Sequence, residues 1–381
     1  VTVVLVFAAA AAVVLYAYLG YPALIALLAR LRPAPAPRRS PEEPAVTLLL
    51  VVHDEERWLA EKIRNLLDLD YPPGKREVLV VSDGSRDGSE RIAASFAGEG
   101  VRLVALPGPR GKAAALGEAV PQATGEILVL TDARQRLAPD AVRELAAYFA
   151  DPSVGAVSGE LMLEDGGPGP AAGLGRYWRY EKLIRRAESR FDSTVGATGA
   201  LYAVRRSLWP ALDPRTILDD VAVPMEVVLA GRRVLFAPEA RAYDRLSDDA
   251  AHEYRRKVRT LAGSYQLALL RPALLDPFRN RVAWQFWSHK LARLAVPWCL
   301  AVLLAASAAL AARGGVFYGA VLGLQLIIYL MAAAGALAAR AGLRVPLASV
   351  PYAFALANLA AAHAFFGFLR GTAGPAWKAP R

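Results

Sequence analysis

Four long apolar runs bracket the middle of this sequence and decide what it can fold into. Val1 to Ala29 is almost uninterrupted Val, Leu, Ala and Tyr, and further runs follow at Leu294–Ala312, Val316–Ala339 and Pro346–Leu369. A helix needs about 20 apolar residues to cross a bilayer, so each run reads as one span. The first is too long for a secretory signal peptide and lacks its basic start and clear cleavage site; it reads as a retained anchor. At 55% hydrophobic residues and a mean hydropathy of +0.28, the composition fits a membrane protein rather than a water-soluble enzyme.

The formal net charge of +10 raises the question of nucleic acid, but the basic residues sit beside the spans. Arg30, Arg32, Arg38 and Arg39 follow the first run, and Lys290 and Arg293 precede the second. Basic flanks mark the cytoplasmic side, which places the middle of the chain in the cytoplasm and removes the need for a nucleic-acid partner. Arg340 and Arg344 agree with this orientation, whereas Arg370, Lys378 and Arg381 oppose it. Cys299 is the sole cysteine and there are four histidines, so neither a disulfide framework nor a Cys/His metal cluster is expected. The spans hold almost no ionisable residues, which argues against a transporter.

The expected division is an anchor at 1–29, a Pro-rich linker at 30–44, a globular unit at 45–270, an interfacial amphipathic segment at 271–293, three spans within 294–370 and a polar tail at 371–381. Inside the globular unit, short apolar runs at Val46–Val52, Val78–Ser82, Val101–Ala105 and Ile127–Thr131 alternate with helical patterns at Glu55–Leu69, Ser89–Phe96, Lys112–Val120 and Pro139–Phe149. That alternation predicts an α/β fold on a parallel sheet, with ligands at the carboxyl ends of the strands. Beyond Asp151 the pattern loosens to α+β: a flexible loop at Gly166–Gly175, a charged helix at Arg176–Phe191, a glycine turn and short strand in "GATGALYAVRR", a helix opened by acids and closed by Gly231, and a long basic helix at Ala250–Leu270.

The strand ends are where the chemistry collects. They read "HDEE", "SDGSRDGS", "PGPRGK" and "TDARQ", and no GxxxxGK[ST] or GxGxxG stands at these turns. Asp132 arrives at the end of a strand, yet a metal site would want a second acid where Arg134 stands. Asp83 and Asp87 suit either ligand contact or the capping of the next helix. Lys112, at a glycine turn opening a helix, suits a phosphate or open solvent. Asp219 and Asp220 suit either a catalytic base or the dipole of a helix N-terminus. Arg256 and Arg259 share a helix face and suit either a diphosphate or anionic lipid.

In order and spacing these motifs resemble the family 2 glycosyltransferases, membrane-anchored enzymes with a GT-A nucleotide-sugar-binding domain that include cellulose, chitin and hyaluronan synthases. The resemblance covers nearly the whole chain. It implies a UDP-sugar donor held by Glu55, Asp83, Lys112, Asp132, Arg134, Arg256 and Arg259, with Asp83 reading the uracil imide. It implies an acceptor approached by Gly196 and Gly199, and Asp220 as general base beside Asp219. Two adjacent acids repel, which raises the pKa of one and suits a base at neutral pH. Asp132 would hold Mg or Mn with phosphate and water oxygens, or Arg134 would supply part of the positive charge itself. Departures stand at Asp54, Gly117 and Arg134, and the polymerising members' Gln-x-x-Arg-Trp becomes Arg256-Lys257-Val258-Arg259-Thr260. The lost Trp favours single-sugar transfer over processive synthesis. Acceptor and partners are then a lipid-linked or envelope glycan and membrane lipids, in a multi-pass protein of a bacterial inner membrane. An inactive nucleotide-sugar-binding subunit of a synthase complex is the reading from another class.

Overall fold

The computed structural model describes residues 1–164, 171–245, 250–341, 343 and 345–371. Helix α1 runs over Thr2–Leu31, with a π-helical turn at Tyr16–Gly20 just ahead of Pro22. The Pro-rich segment that follows has no regular structure but is strapped to the globular unit. Ala34 N–H donates to the Arg190 carbonyl (2.8 Å) and Ser40 N–H to that of Ala147 (3.1 Å). Arg39 lies 2.6 Å from both Glu144 and Glu239 and covers the Tyr148 ring. The arginine expected beside lipid is thus held by protein carboxylates.

Strands β1 (Val46–Val52), β2 (Arg76–Ser82), β3 (Val101–Ala105) and β4 (Ile127–Thr131) pair in parallel in the order β3-β2-β1-β4. They are joined through α2 (Glu56–Leu67), α3 (Ser89–Ser95) and α4 (Lys112–Ala119). β1 is buried at all its positions, as a strand covered on both faces by helices must be. Helix α5 (Ala141–Ala146) follows the two-residue β5 (Arg136–Leu137).

The rest of the sheet is mixed, where the sequence pattern beyond Asp151 loosens to α+β. β6 (Val154–Glu164), β7 (Tyr202–Arg205) and β8 (Arg233–Arg245) complete eight strands in the order β3-β2-β1-β4-β7-β6-β8-β5. β7 runs antiparallel to both β4 and β6, while β6 and β8 are parallel to each other. The long β6 is hard to read because it carries Gly155 and Gly159, and interior glycine weakens a strand pattern. Close packing explains one of them: a Cβ at Gly159 would lie 2.7 Å from the Ala240 carbonyl of the neighbouring strand.

Helix α6 spans Ala171–Phe191, so the part of the expected loop at 171–175 is helical; its part at 166–170 lies outside the described residues. Helix α7 (Asp219–Leu229) begins on the paired acids, and α8 covers Ala250–Leu270. The interfacial segment differs from its expected outline, because helix α9 starts at Ala283 and continues unbroken to Ala311. Helices α10 (Val316–Arg340) and α11 (Ser349–Leu369) follow. Among the described residues four helices, α1, α9, α10 and α11, are long and apolar enough to cross a membrane. α1 packs on α9, α9 on α10, and α10 on α11.

The globular unit meets these helices through buried charge. Glu188 of α6 is fully buried. It accepts a 2.5 Å hydrogen bond from the Tyr21 hydroxyl of α1 and lies 2.7 Å from His289 Nδ1 of α9. His289 Nε2 in turn sits 2.9 Å from Glu181, which also pairs with Arg293. Removing one member of such a cluster strands the others without a partner. Glu188→Ala should therefore cost about 3–5 kcal/mol, read as a lowered unfolding midpoint of the full chain in detergent.

Candidate active site

The loops at the ends of β1 and β2 are laced to each other. Asp54 holds a left-handed backbone, φ 55°; its N–H donates to Ser85 Oγ (3.2 Å) and its carboxylate accepts Arg86 N–H (2.7 Å). Asp87 accepts the amides of Glu56 (3.0 Å) and Ser89 (2.9 Å), so it fixes the turn ahead of α3, whose N-cap is Gly88. Asp83 is fully buried, and its two oxygens accept the amides of Arg110 (2.9 Å) and Gly111 (2.7 Å). Its observed work is to clasp the turn that delivers Lys112. Beside it, Gly84, Ser85, Arg86, Glu90, Pro107 and Gly108 border an open cleft of about 480 Å³.

The centre is built on Lys112. Its ammonium donates to Asp132 Oδ1 at 2.9 Å and lies 3.4 Å from Asp219 Oδ2. Burial works against this charge, but Asp132, then Asp219, and also Asp220 outweigh it and hold the pKa above its ordinary value. Asp220 faces the other side: its Oδ2 accepts Gly199 N–H at 3.2 Å. A Cβ on Gly199 would touch Asp220 Oδ2 at 3.4 Å and Asp132 Oδ2 at 3.5 Å. The two carboxylates therefore flank one small gap that a missing side chain keeps open. Gly196, at φ 93°, bends the chain so that Ala197 N–H reaches the Asp220 carbonyl at 2.7 Å. Burial, first, and the Asp219 charge, second, push the Asp220 carboxyl up to about 6, against the pull of Lys112 and Lys290.

Arg134 and Arg256 meet through a residue that motif reading does not find. Asp244 of β8, 5% exposed, lies 3.8 Å from Arg134 and 4.0 Å from Arg256 and accepts Gln135 Nε2–H at 2.8 Å. Glu55 stands in the same field. Burial raises its carboxyl to about 6; Arg134 opposes the rise, while Asp132 and Asp87 add to it. Beneath the turn, buried Lys62 donates to Thr131 Oγ1 (2.8 Å) and to the Gln135 carbonyl (2.6 Å), and burial lowers it to about 7. Arg259 is exposed and stays outside this network. Asp244, Lys62 and Lys290 carry no local motif, and only the approach of β8, α2 and α9 brings them to the site.

Among the described residues no three His, Cys, Asp or Glu gather as a metal site. The residues still fit a divalent cation that takes one protein ligand: Asp132 is 44% exposed, with Lys112 on Oδ1 and its Oδ2 turned to the gap. Mg²⁺ in particular is commonly bound by one or two carboxylates together with phosphates and water.

With this geometry in place, the relatives become informative. Residues 47–210 match the glycosyl transferase family 2 profile. The chain therefore carries a family 2 glycosyltransferase domain on a GT-A-like fold. Over 368 residues it is 26% identical to an N-acetylglucosaminyltransferase of Rhizobium meliloti (strain 1021), covering 84% of this chain and 86% of the relative. It is 24% identical over 234 residues to a poly-beta-1,6-N-acetyl-D-glucosamine synthase of Staphylococcus epidermidis, covering 59% of this chain but only 55% of that one. Among solved structures, a mannosyltransferase from Pyrobaculum calidifontis in complex with GDP-Man and Mn²⁺ superposes with a TM-score of 0.72. It is 26% identical, and 96% of this chain and 99% of that one are covered.

Two outcomes follow from the centre. A carboxyl with a pKa near 6 is protonated, and useless as a base, below that pH; kcat should fall with unit slope as pH drops under about 6, and Asp220→Asn should lower it about 10²–10⁴-fold across the range. Gly199→Ala needs no strained backbone, so it should leave the unfolding midpoint in place. It should raise the acceptor KM or lower kcat, because its methyl occupies the gap; steady-state kinetics beside thermal unfolding check both.

Proposed function

We propose that the protein transfers a sugar, with inversion, from a UDP-sugar to a hydroxyl of a lipid-linked or envelope glycan, one sugar per cycle. It does so at the cytoplasmic face of a bacterial inner membrane that its helices cross several times. The observation that carries this reading is the gap between Asp132 and Asp220 across Gly199. One carboxylate looks to the donor, and the other, with its pKa near 6, takes the proton of the attacking hydroxyl. The nucleoside rests in the strand-end cleft next to the Asp83 turn; a cleft of about 480 Å³ is of ordinary ligand-binding size. Asp83 would read the base imide with a lone pair left beside its two amide bonds.

Lys112, Arg134 and Arg256 surround the diphosphate and stabilise the charge it gains on leaving, and Arg259 adds to the field from the exposed face of α8. A divalent cation on Asp132 would supply further charge at the same oxygens; the Pyrobaculum structure with Mn²⁺ supports its use. The likeness to poly-N-acetylglucosamine synthases favours one second reading, processive synthesis, and product length from a labelled donor separates the two.

Thermal shift of the full chain with UDP-GlcNAc, UDP-glucose and GDP-mannose, each with and without Mn²⁺, tests the donor class; no stabilisation by any of them would sink the proposal. Arg134 gives a sharper outcome. Because it replaces an acid, transfer should persist in part under complete chelation in the wild type, and Arg134→Ala should remove that metal-independent remainder.

A further inference from the structure

One buried lysine takes no part in the transfer chemistry itself. Lys62 stands on α2 among Leu59, Ile63 and Leu66, all fully buried, and is itself 3% exposed. Lysine is almost never buried this deeply unless its ammonium has partners to hold. Burial here lowers its pKa to about 7, and an apolar side chain of similar length would fill the place at less cost.

What Lys62 holds is the turn that carries Asp132 and Arg134. Its Nζ donates to Thr131 Oγ1 at 2.8 Å and to the Gln135 carbonyl at 2.6 Å, one contact on either side of residues 132–134. Asn65, a turn further along α2, donates to the Leu137 carbonyl (3.0 Å) and accepts the Leu137 N–H (2.8 Å), so α2 clamps the stretch from β4 to β5. Each acceptor of the lysine then passes the connection on. Thr131 Oγ1 donates to the Ala200 carbonyl at 2.8 Å, directly after Gly199. Gln135 Nε2 donates to Asp244 at 2.8 Å, the carboxylate that Arg134 and Arg256 share. A neutral amine still has two N–H donors, so both contacts of Lys62 persist in either charge state.

We infer that Lys62 is a positioning residue for sugar transfer: from beneath the β4–β5 turn it sets Asp132 against Asp220 across the Gly199 gap, and Arg134 against Asp244. This rests on the transferase reading and adds to it a residue that touches neither substrate. Misplacing a reacting group by about 1 Å can cost about 10²-fold in rate, so slack at this one clamp is felt on both sides of the centre. The nucleoside cleft is built separately. Gly84, Ser85, Arg86, Pro107 and Gly108 belong to the turns after β2 and β3, and both Lys62 hydrogen bonds lie outside them.

Hydrogen exchange of the full-length protein in detergent tests the clamp without any substrate. Lys62→Met keeps most of the side-chain length and removes its donors. Amide exchange should then quicken about tenfold within residues 131–137 and 199–202, while the amides of β1 and β2 keep their wild-type rates. The unfolding midpoint should stay near that of the wild type, because relief of a buried charge offsets a carbonyl left without its donor. With the nucleotide sugar that the thermal-shift screen retains as donor, kcat should fall about 10–10²-fold and the donor KM should hold. Lys62→Arg, which restores donors, should recover part of the loss. Thr131→Val removes the next link, and joined to Lys62→Met it should lower kcat by less than the product of the two single losses.

Unchanged exchange in both segments, or exchange quickened through β1 and β2 as well, would overturn the inference. So would kcat losses that multiply fully in the pair, or a donor KM raised at constant kcat. Should Lys62→Met fail to fold, Lys62→Arg and Thr131→Val carry the same comparison. If the thermal-shift screen finds no nucleotide sugar, it is the transferase reading that fails, and the exchange experiment still decides whether Lys62 holds the two segments.

Discussion

The Lys112 ammonium is the interaction on which the site depends. It rises from the glycine turn ahead of α4 to Asp132 at the end of β4, and it also reaches Asp219 at the start of α7. Those three elements come from the parallel half of the sheet, its last parallel strand and the mixed half. A part-buried cation joining them is held by the carboxylates close to it, since a charge left without a partner in a poorly solvated place is costly. The same contact fixes what remains free: Asp132 keeps Oδ2 for a ligand, and Asp220 stays off the lysine and acquires a raised pKa. A single pairing thus separates two neighbouring acids into one that holds charge in place and one that can accept a proton.

The apolar helices bear on this centre directly. α9 brings Lys290 into the field of Asp220, and its His289 locks onto α6, which carries Glu181, Arg185 and Glu188. α8 runs along α11, where Tyr254 meets His363 and Tyr265 stacks on Phe368, and it presents Arg256 to Asp244. The Asp244 side of the centre is therefore linked to α11 and the Asp220 side to α9, so a shift among the membrane-type helices would be felt on both sides of the centre.

What the sequence revealed follows from how local each signal is. β1 and β4 lie where their apolar runs lie, because a strand covered on both faces announces itself as continuous hydrophobicity; the short edge strand β3 also lies on its run. The acids and Lys112 are found by their turns, since chemistry at strand ends is encoded within a few residues. β6 stayed hidden because its glycines serve packing against β8 and break the pattern. Asp244 stayed hidden because its partners, Gln135, Arg134 and Arg256, are distant in sequence and meet only after β8 pairs with β5 and β6. Asp83 was legible as important but not in its observed work, because a motif marks the residue and does not say which amides fold back onto it.

Arg134 shows how such a departure is accommodated. Exchanging an acid for an arginine beside Asp132 reverses a charge next to the place of a diphosphate, and an unbalanced guanidinium there would pair with Asp132 or Glu55 and close the site. Asp244 counters this: it is buried and lies 3.8 Å from Arg134 and 4.0 Å from Arg256. On the proposed function, a donor diphosphate would then meet a cation that is already positioned, with its conformational cost largely met in the folded state. The substitution and its buried counter-ion form one unit, and Asp244 is what allows Arg134 to stand where a metal-binding acid is expected.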